Sequence, residues 1–232
     1  MTNPQKELEG YLKILTRKLS FIKAYQNQLS IIIKWKNSKG YPAIKKGAFF
    51  FLLVVNSFNN TILLELYKLT SPKESTSIFD WLNKAKENRK ALIFNKCNVI
   101  KTSEYEKLVS EHLSKLKEIE DTIIKLQARR DKFLAHSDKK YFTNPEKLIE
   151  DFPISTEDIL SLIDTIHKIL HRHYSLFFQT DIDTNVYSSS NVDSILRNVL
   201  SFSKVWRDQK LIELGIRPGD YLINEEDLEF KI

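Results

Sequence analysis

A single cysteine in 232 residues, Cys97, rules out an intrachain disulfide and any zinc cluster built from several cysteines, and it fits a reducing compartment such as the cytoplasm. Glycine and proline are nearly as scarce, at five and six residues, so breaks are few and long helices are favoured over a turn-rich β protein. No apolar run exceeds the eight residues 48–55, against the roughly 20 needed to span a bilayer. Residues 1–7 include an acid and lack the apolar stretch of an export signal. We therefore expect an all-α, cytoplasmic chain with no membrane partner. Lys39-Gly40 and Lys46-Gly47 lack the further glycines and the Ser or Thr of a phosphate loop. Ser188-Ser189-Ser190 lacks the flanking glycines of a nucleophile turn and reads as a loop and helix cap.

Charge is plentiful but unevenly placed. The net charge is +6, and residues 1–46 hold ten Lys or Arg against Glu7 and Glu9, a local balance of +8. Residues 208–232 reverse the sign, with seven acids against Lys210, Arg217 and Lys231. A basic first helix can attract a phosphate backbone such as that of RNA without reading sequence. The same charges also suit a solvated helix face.

Apolar spacing sets out the helices. Leu8, Leu12, Leu15, Leu19 and Ile22 step by threes and fours, which predicts one helix over about 5–35 ended by the Asn37-to-Pro42 turn. Residues 43–69 are apolar nearly all round, so they are expected to form the central helix, with Phe49, Phe50 and Phe51 in the core. A shorter helix from Ile78 to about Phe94 should follow Ser71-Pro72. A third long helix opens near Thr102, where hydroxyls and then acids suit a helix start. The segment 137–153, with Asn144-Pro145 and Phe152-Pro153, reads as an irregular linker with room for one short turn of helix. Ser155-Thr156-Glu157-Asp158 signals a helix to about Phe178. Residues 1–180 thus form an antiparallel bundle of four principal helices, and 181–232 a C-terminal helical and irregular appendage packed on it.

In the third helix Leu116, Ile119, Ile123 and Leu126 set a seven-residue rhythm that reaches Arg130 and then Phe133. Arg130 stands where the stripe calls for an apolar side chain, and a guanidinium is rarely put in a seam unless it is paired, interfacial or used in chemistry.

Arg130-Asp131 followed by mostly apolar residues and His136, at the end of the third helix of a bundle, resembles the signature of the HEPN superfamily. Within it the chain is most similar to the AbiU type of abortive-infection protein, through residues 130–138, the Phe-rich helix and Phe79-Asp80-Trp81-Leu82; the resemblance covers about 5–178. It implies a metal-independent endoribonuclease with no cofactor, in which a 2'-OH attacks the adjacent phosphate. His136 would move protons near neutral pH, Arg130 would hold the charged phosphate, and Asp131 would orient one of them. Arg129, Lys132, Lys139 and Lys140 would bind nucleic acid, and Arg129 also meets the family spacing to His136. The resemblance further implies a homodimer through the helix carrying Arg130 and His136, and an antitoxin or defence-system partner protein. On a straight α-helix those two residues point about 120° apart, which fits a site shared by two chains. Where related toxins carry a modifiable Tyr, two residues after the His, this chain has Asp138. The other reading of the same features is a catalytically inactive helical module that binds RNA or protein. His167 and His171 lie one turn apart, as zinc ligands can, with His173 nearby, but no third ligand accompanies them and the expected metal content is none.

Overall fold

Steps of three and four along the first 22 residues do what an amphipathic helix requires: Leu8, Leu12, Leu15, Leu19 and Ile22 are all buried on one stripe of helix α1, Pro4–Lys36. The computed structural model describes residues 3–92, 100–135, 139–182 and 191–213, and among these every regular element is helical. The remaining helices are α2 (Tyr41–Lys46), α3 (Ala48–Thr70), α4 (Ile78–Glu87), α5 (Thr102–Glu118), α6 (Glu120–Arg129), α7 (Lys139–Phe142), α8 (Pro145–Asp151), α9 (Thr156–Phe178) and α10 (Val192–Glu213). A 3-10 turn, Arg89–Ala91, follows α4, and a π-helical turn, Arg130–Ala135, follows α6.

Several boundaries differ from the sequence expectation for local reasons. The helix expected over 43–69 is two, because Gly47 leaves the helical path and its N–H bonds to the Ile44 carbonyl at 3.1 Å. The long third helix is divided at Ile119, which closes α5 and opens α6. Its start is capped through Glu104, whose Oε2 accepts the Lys101 N–H at 3.2 Å, rather than through Thr102. The linker expected to hold one short helical turn contains two short helices, α7 and α8. At α9 the expected reciprocal cap forms: Ser155 Oγ accepts the Asp158 N–H at 3.0 Å, and Asp158 Oδ2 accepts the Ser155 N–H at 2.8 Å. The Ser188–Ser190 stretch and Phe94 lie outside the described residues.

The chain forms two compact units, one of residues 1–24 with 60–186 and one of 25–59 with 187–232. In the first, the α1 stripe, Ile62, Leu66 and Leu69 of α3, Trp81 of α4, Leu116 of α5 and the inner face of α9 supply the buried apolar residues. The Trp81 indole donates to the Leu8 carbonyl at 3.0 Å, so the largest side chain of α4 is both buried and satisfied. In the second unit, Ile32, Trp35, Ala43, Ile44 and Leu196 form the core. Trp35 Nε1 donates to Asp193 Oδ1 at 2.8 Å, and Gln28 Oε1 accepts the Val192 N–H at 2.8 Å. Gly40 is required by proximity, since a Cβ there would stand 2.3 Å from Trp35 Cε3.

One core expectation fails. Phe49 is 72% exposed and Phe50 62%, and only Phe51 of that run packs inward. The first turns of α3 are apolar on more sides than their neighbours cover, so all-round hydrophobicity did not mean all-round burial. By length and composition α3, with 23 residues, is also long and apolar enough to cross a bilayer; counting only its unbroken apolar run hid this.

Candidate active site

Arg130 sits at the junction of α6 and the π-helical turn, a rare winding that is frequent at functional sites. Its side chain is 24% exposed and enclosed on three sides. NH1 lies 2.7 Å from Asp131 Oδ1 and NH2 lies 3.6 Å from Glu74 Oε1. The guanidinium also stacks on Tyr67, with Cζ 4.1 Å from the ring centroid. Tyr67 is buried at the C-terminal end of α3, so it is a fixed plate against which a planar cation holds one orientation. Asp131 is steadied from behind by Gln127, whose Nε2 donates to Oδ2 at 3.4 Å.

The two carboxylates differ in grip. The Asp131 pair is short and charge-assisted, whereas the Glu74 contact is longer and comes from the 71–77 loop. Arg130 is therefore held by one tight counter-ion and one weak one.

The neighbouring cations are not all alike. Arg129 points elsewhere: Nε donates to the Phe152 carbonyl at 2.9 Å, and burial pulls its pKa below the ordinary value. It thereby satisfies the residue that closes α8, a structural use that competes with phosphate binding. Lys132 and Lys140 both approach the ring of Tyr141, at 5.4 and 4.7 Å. Lys140 also pairs with Asp151 at 2.6 Å, where the Tyr141 hydroxyl donates to Asp151 Oδ2 at 2.9 Å. These contacts raise the Lys140 pKa and lower that of Asp151. Lys139 is exposed. Arg130 and Asp131 are thus brought together, Lys132 and Lys140 converge on Tyr141, and Arg129 turns away. His136 and Asp138 lie outside the described residues. The 120° separation of Arg130 and His136 assumed α-helical steps, and residues 130–135 do not follow them.

A second polar cluster, buried in the same unit, went unseen in the sequence. His112 Nδ1 lies 2.9 Å from His173 Nε2, and the Tyr105 hydroxyl lies 3.3 Å from His173 Nδ1. Trp81 packs edge-on against His173 at 4.8 Å between centroids. One proton chain satisfies all three groups: Tyr105 donates to His173 Nδ1, and His173 Nε2–H donates to His112 Nδ1, both rings being neutral. Burial is the main reason that the His112 pKa is pushed down to about 4, with Lys115 adding to it. His173, fully enclosed, is held well below the ordinary histidine range by burial and by His112. His173 therefore does not share a face with His167 and His171. His171 lies 3.2 Å from Asp181, and no group of three metal-ligating side chains occurs among the described residues.

An all-helical unit with a guanidinium fixed at the end of its α5–α6 arm is consistent with a HEPN-like bundle. The AbiU2 family, HEPN_AbiU2, matches residues 7–197, and the chain belongs to that family. The match extends beyond the expected 5–178 into the first turns of α10. No curated protein and no solved structure matches the chain.

Proposed function

We propose that this HEPN domain is a metal-independent endoribonuclease of abortive-infection type. The observation that supports it most is Arg130, a largely enclosed charged side chain stacked on Tyr67 and held by Asp131. In the proposed reaction a ribose 2'-OH attacks the adjacent phosphorus while His136 accepts its proton. Arg130 neutralises the extra charge on the non-bridging oxygens. The bond to the 5'-oxygen breaks, that oxygen takes a proton from water, and the products are a 2',3'-cyclic phosphate and a 5'-hydroxyl. The site forms between two copies of the chain in the cytoplasm, under control of an antitoxin or defence-system partner. Lys132, Lys139 and Lys140 draw the RNA backbone toward it.

Glu74 is the group that RNA displaces. Glu74→Gln removes a competing anion from Arg130 and should tighten RNA binding up to about fivefold, the equivalent of the roughly 1 kcal/mol typical of a partly exposed ion pair. Binding titrations on a non-cleavable 2'-deoxy oligonucleotide measure this. Unchanged or weaker affinity would show that Glu74 does not compete with phosphate.

A further inference from the structure

The second unit leaves an apolar face uncovered. On α3, Phe49, Phe50, Leu52 and Leu53 are exposed; on α10, Phe202, Val205, Trp206 and Ile212 are exposed, with Phe202 at 72% and Trp206 at 57%. The two sets flank one contact, since Lys46 at the end of α2 hydrogen-bonds Ser203 in the middle of α10. α10 is apolar on its other side too, where Leu196, Val199 and Leu200 meet the core. A helix apolar on two sides has a second surface to bury.

Charge narrows what covers it. Residues 25–59 contain five lysines and no acid. Near the exposed stripe α10 adds Lys204 and Arg207 against the single acid Asp208, while its Asp193 is engaged by Trp35 and Arg197 and its Glu213 by Lys210. The complement is an apolar, acidic segment, and one follows α10 directly. Residues 214–232 interleave Tyr221, Leu222, Ile223, Leu228, Phe230 and Ile232 with Asp220, Glu225, Glu226, Asp227 and Glu229, against only Arg217 and Lys231.

We propose that the segment 214–232 turns back in cis and covers the apolar face of α3 and α10. Gly215-Ile216-Arg217-Pro218-Gly219 holds two of the five glycines of the chain and suits a reversal. The 13 residues after it reach up to about 43 Å when extended, whereas the stretch of α10 from Glu213 back to Phe202 is only about 17 Å long. A bilayer fits the face less well, because α3 carries Asn56, Asn59 and Asn60 past its first turns, amides that a hydrocarbon core would leave unsatisfied.

Tryptophan quenching tests this independently of any RNA cleavage. Trp35 and Trp81 are 1% and 0% exposed, so acrylamide reports mainly on Trp206, and Trp206→Phe assigns the signal. In the native chain Trp206 should be shielded. In the full-length variant carrying Glu225→Lys, Glu226→Lys, Asp227→Lys and Glu229→Lys the quenching constant should rise about twofold, as one of three indoles opens to solvent. A chain ending at Glu213 should behave like the variant and regain protection when a synthetic 214–232 peptide is added, less so at high salt. Equal quenching in the native and charge-reversed chains would overturn the proposal. So would protection that appears only at concentrations where the chain sediments as a dimer, or binding of the native chain to phosphatidylglycerol vesicles through Phe202 and Trp206.

Discussion

Arg130→Ala is expected to lower RNA cleavage by roughly two to three orders of magnitude, the usual loss when one preorganised charge is taken from a transition state. RNA affinity should change far less, because several cations share the binding of a phosphate backbone while one guanidinium faces the reacting group. Lysine should not restore the rate. Its point charge cannot stack flat on Tyr67 at 4.1 Å and reach Asp131 and a phosphate together. Single-turnover cleavage of a short RNA at saturating protein separates the two effects. A variant that loses binding and cleavage in proportion would demote Arg130 to a backbone contact. Circular dichroism is the control, since the alanine leaves Glu74 and Asp131 without their shared cation.

The second large effect is on stability. His112 titrates near 6.5 when unfolded and at about 4 when folded, so between those values the unfolded chain binds more protons than the folded one. The stability this histidine provides is complete above pH 6.5 and is lost as the pH falls toward 4. With each pH unit of displacement worth ~1.4 kcal/mol, His112 alone should withdraw about 2 kcal/mol by pH 5, and His173 is displaced in the same direction. The cause is geometric as well as dielectric, because a proton on His112 Nδ1 sets two N–H groups against each other across 2.9 Å, and one on His173 Nδ1 displaces the hydrogen that Tyr105 donates. Urea unfolding at pH 7.5 and pH 5 should show this drop, and His112→Phe with His173→Phe should flatten it. An equally steep loss in the double variant would assign acid sensitivity to other groups.

That cluster was within reach of sequence reasoning. Tyr105, Val109, His112 and Leu116 keep a seven-residue rhythm and are all buried, so the stripe begins a full turn and more before Leu116, and a histidine lies inside it. Reading the three histidines of α9 as a local set hid the pairing, because the partner of His173 stands 61 residues away. Helix content was legible for a simple reason: scarce breakers and regular apolar spacing act locally. The surroundings of Arg130 were not, since Tyr67 and Glu74 approach from 63 and 56 residues upstream through tertiary folding. Nor was the π-helical turn, which has no composition of its own. The exposed Phe49 and Phe50 show the converse limit, that an apolar segment states what could be buried but not what is there to bury it.

Cleavage of RNA by purified protein in the presence of EDTA, with chemical identification of the ends, bears most directly on the proposed activity. The native chain should release 2',3'-cyclic phosphate ends, and His136→Ala should release about 10²–10⁴-fold fewer, the usual contribution of a general acid–base group. Cleavage by His136→Ala at the native rate would contradict the account, as would a native chain that binds RNA in a steeply salt-dependent way and never cuts it.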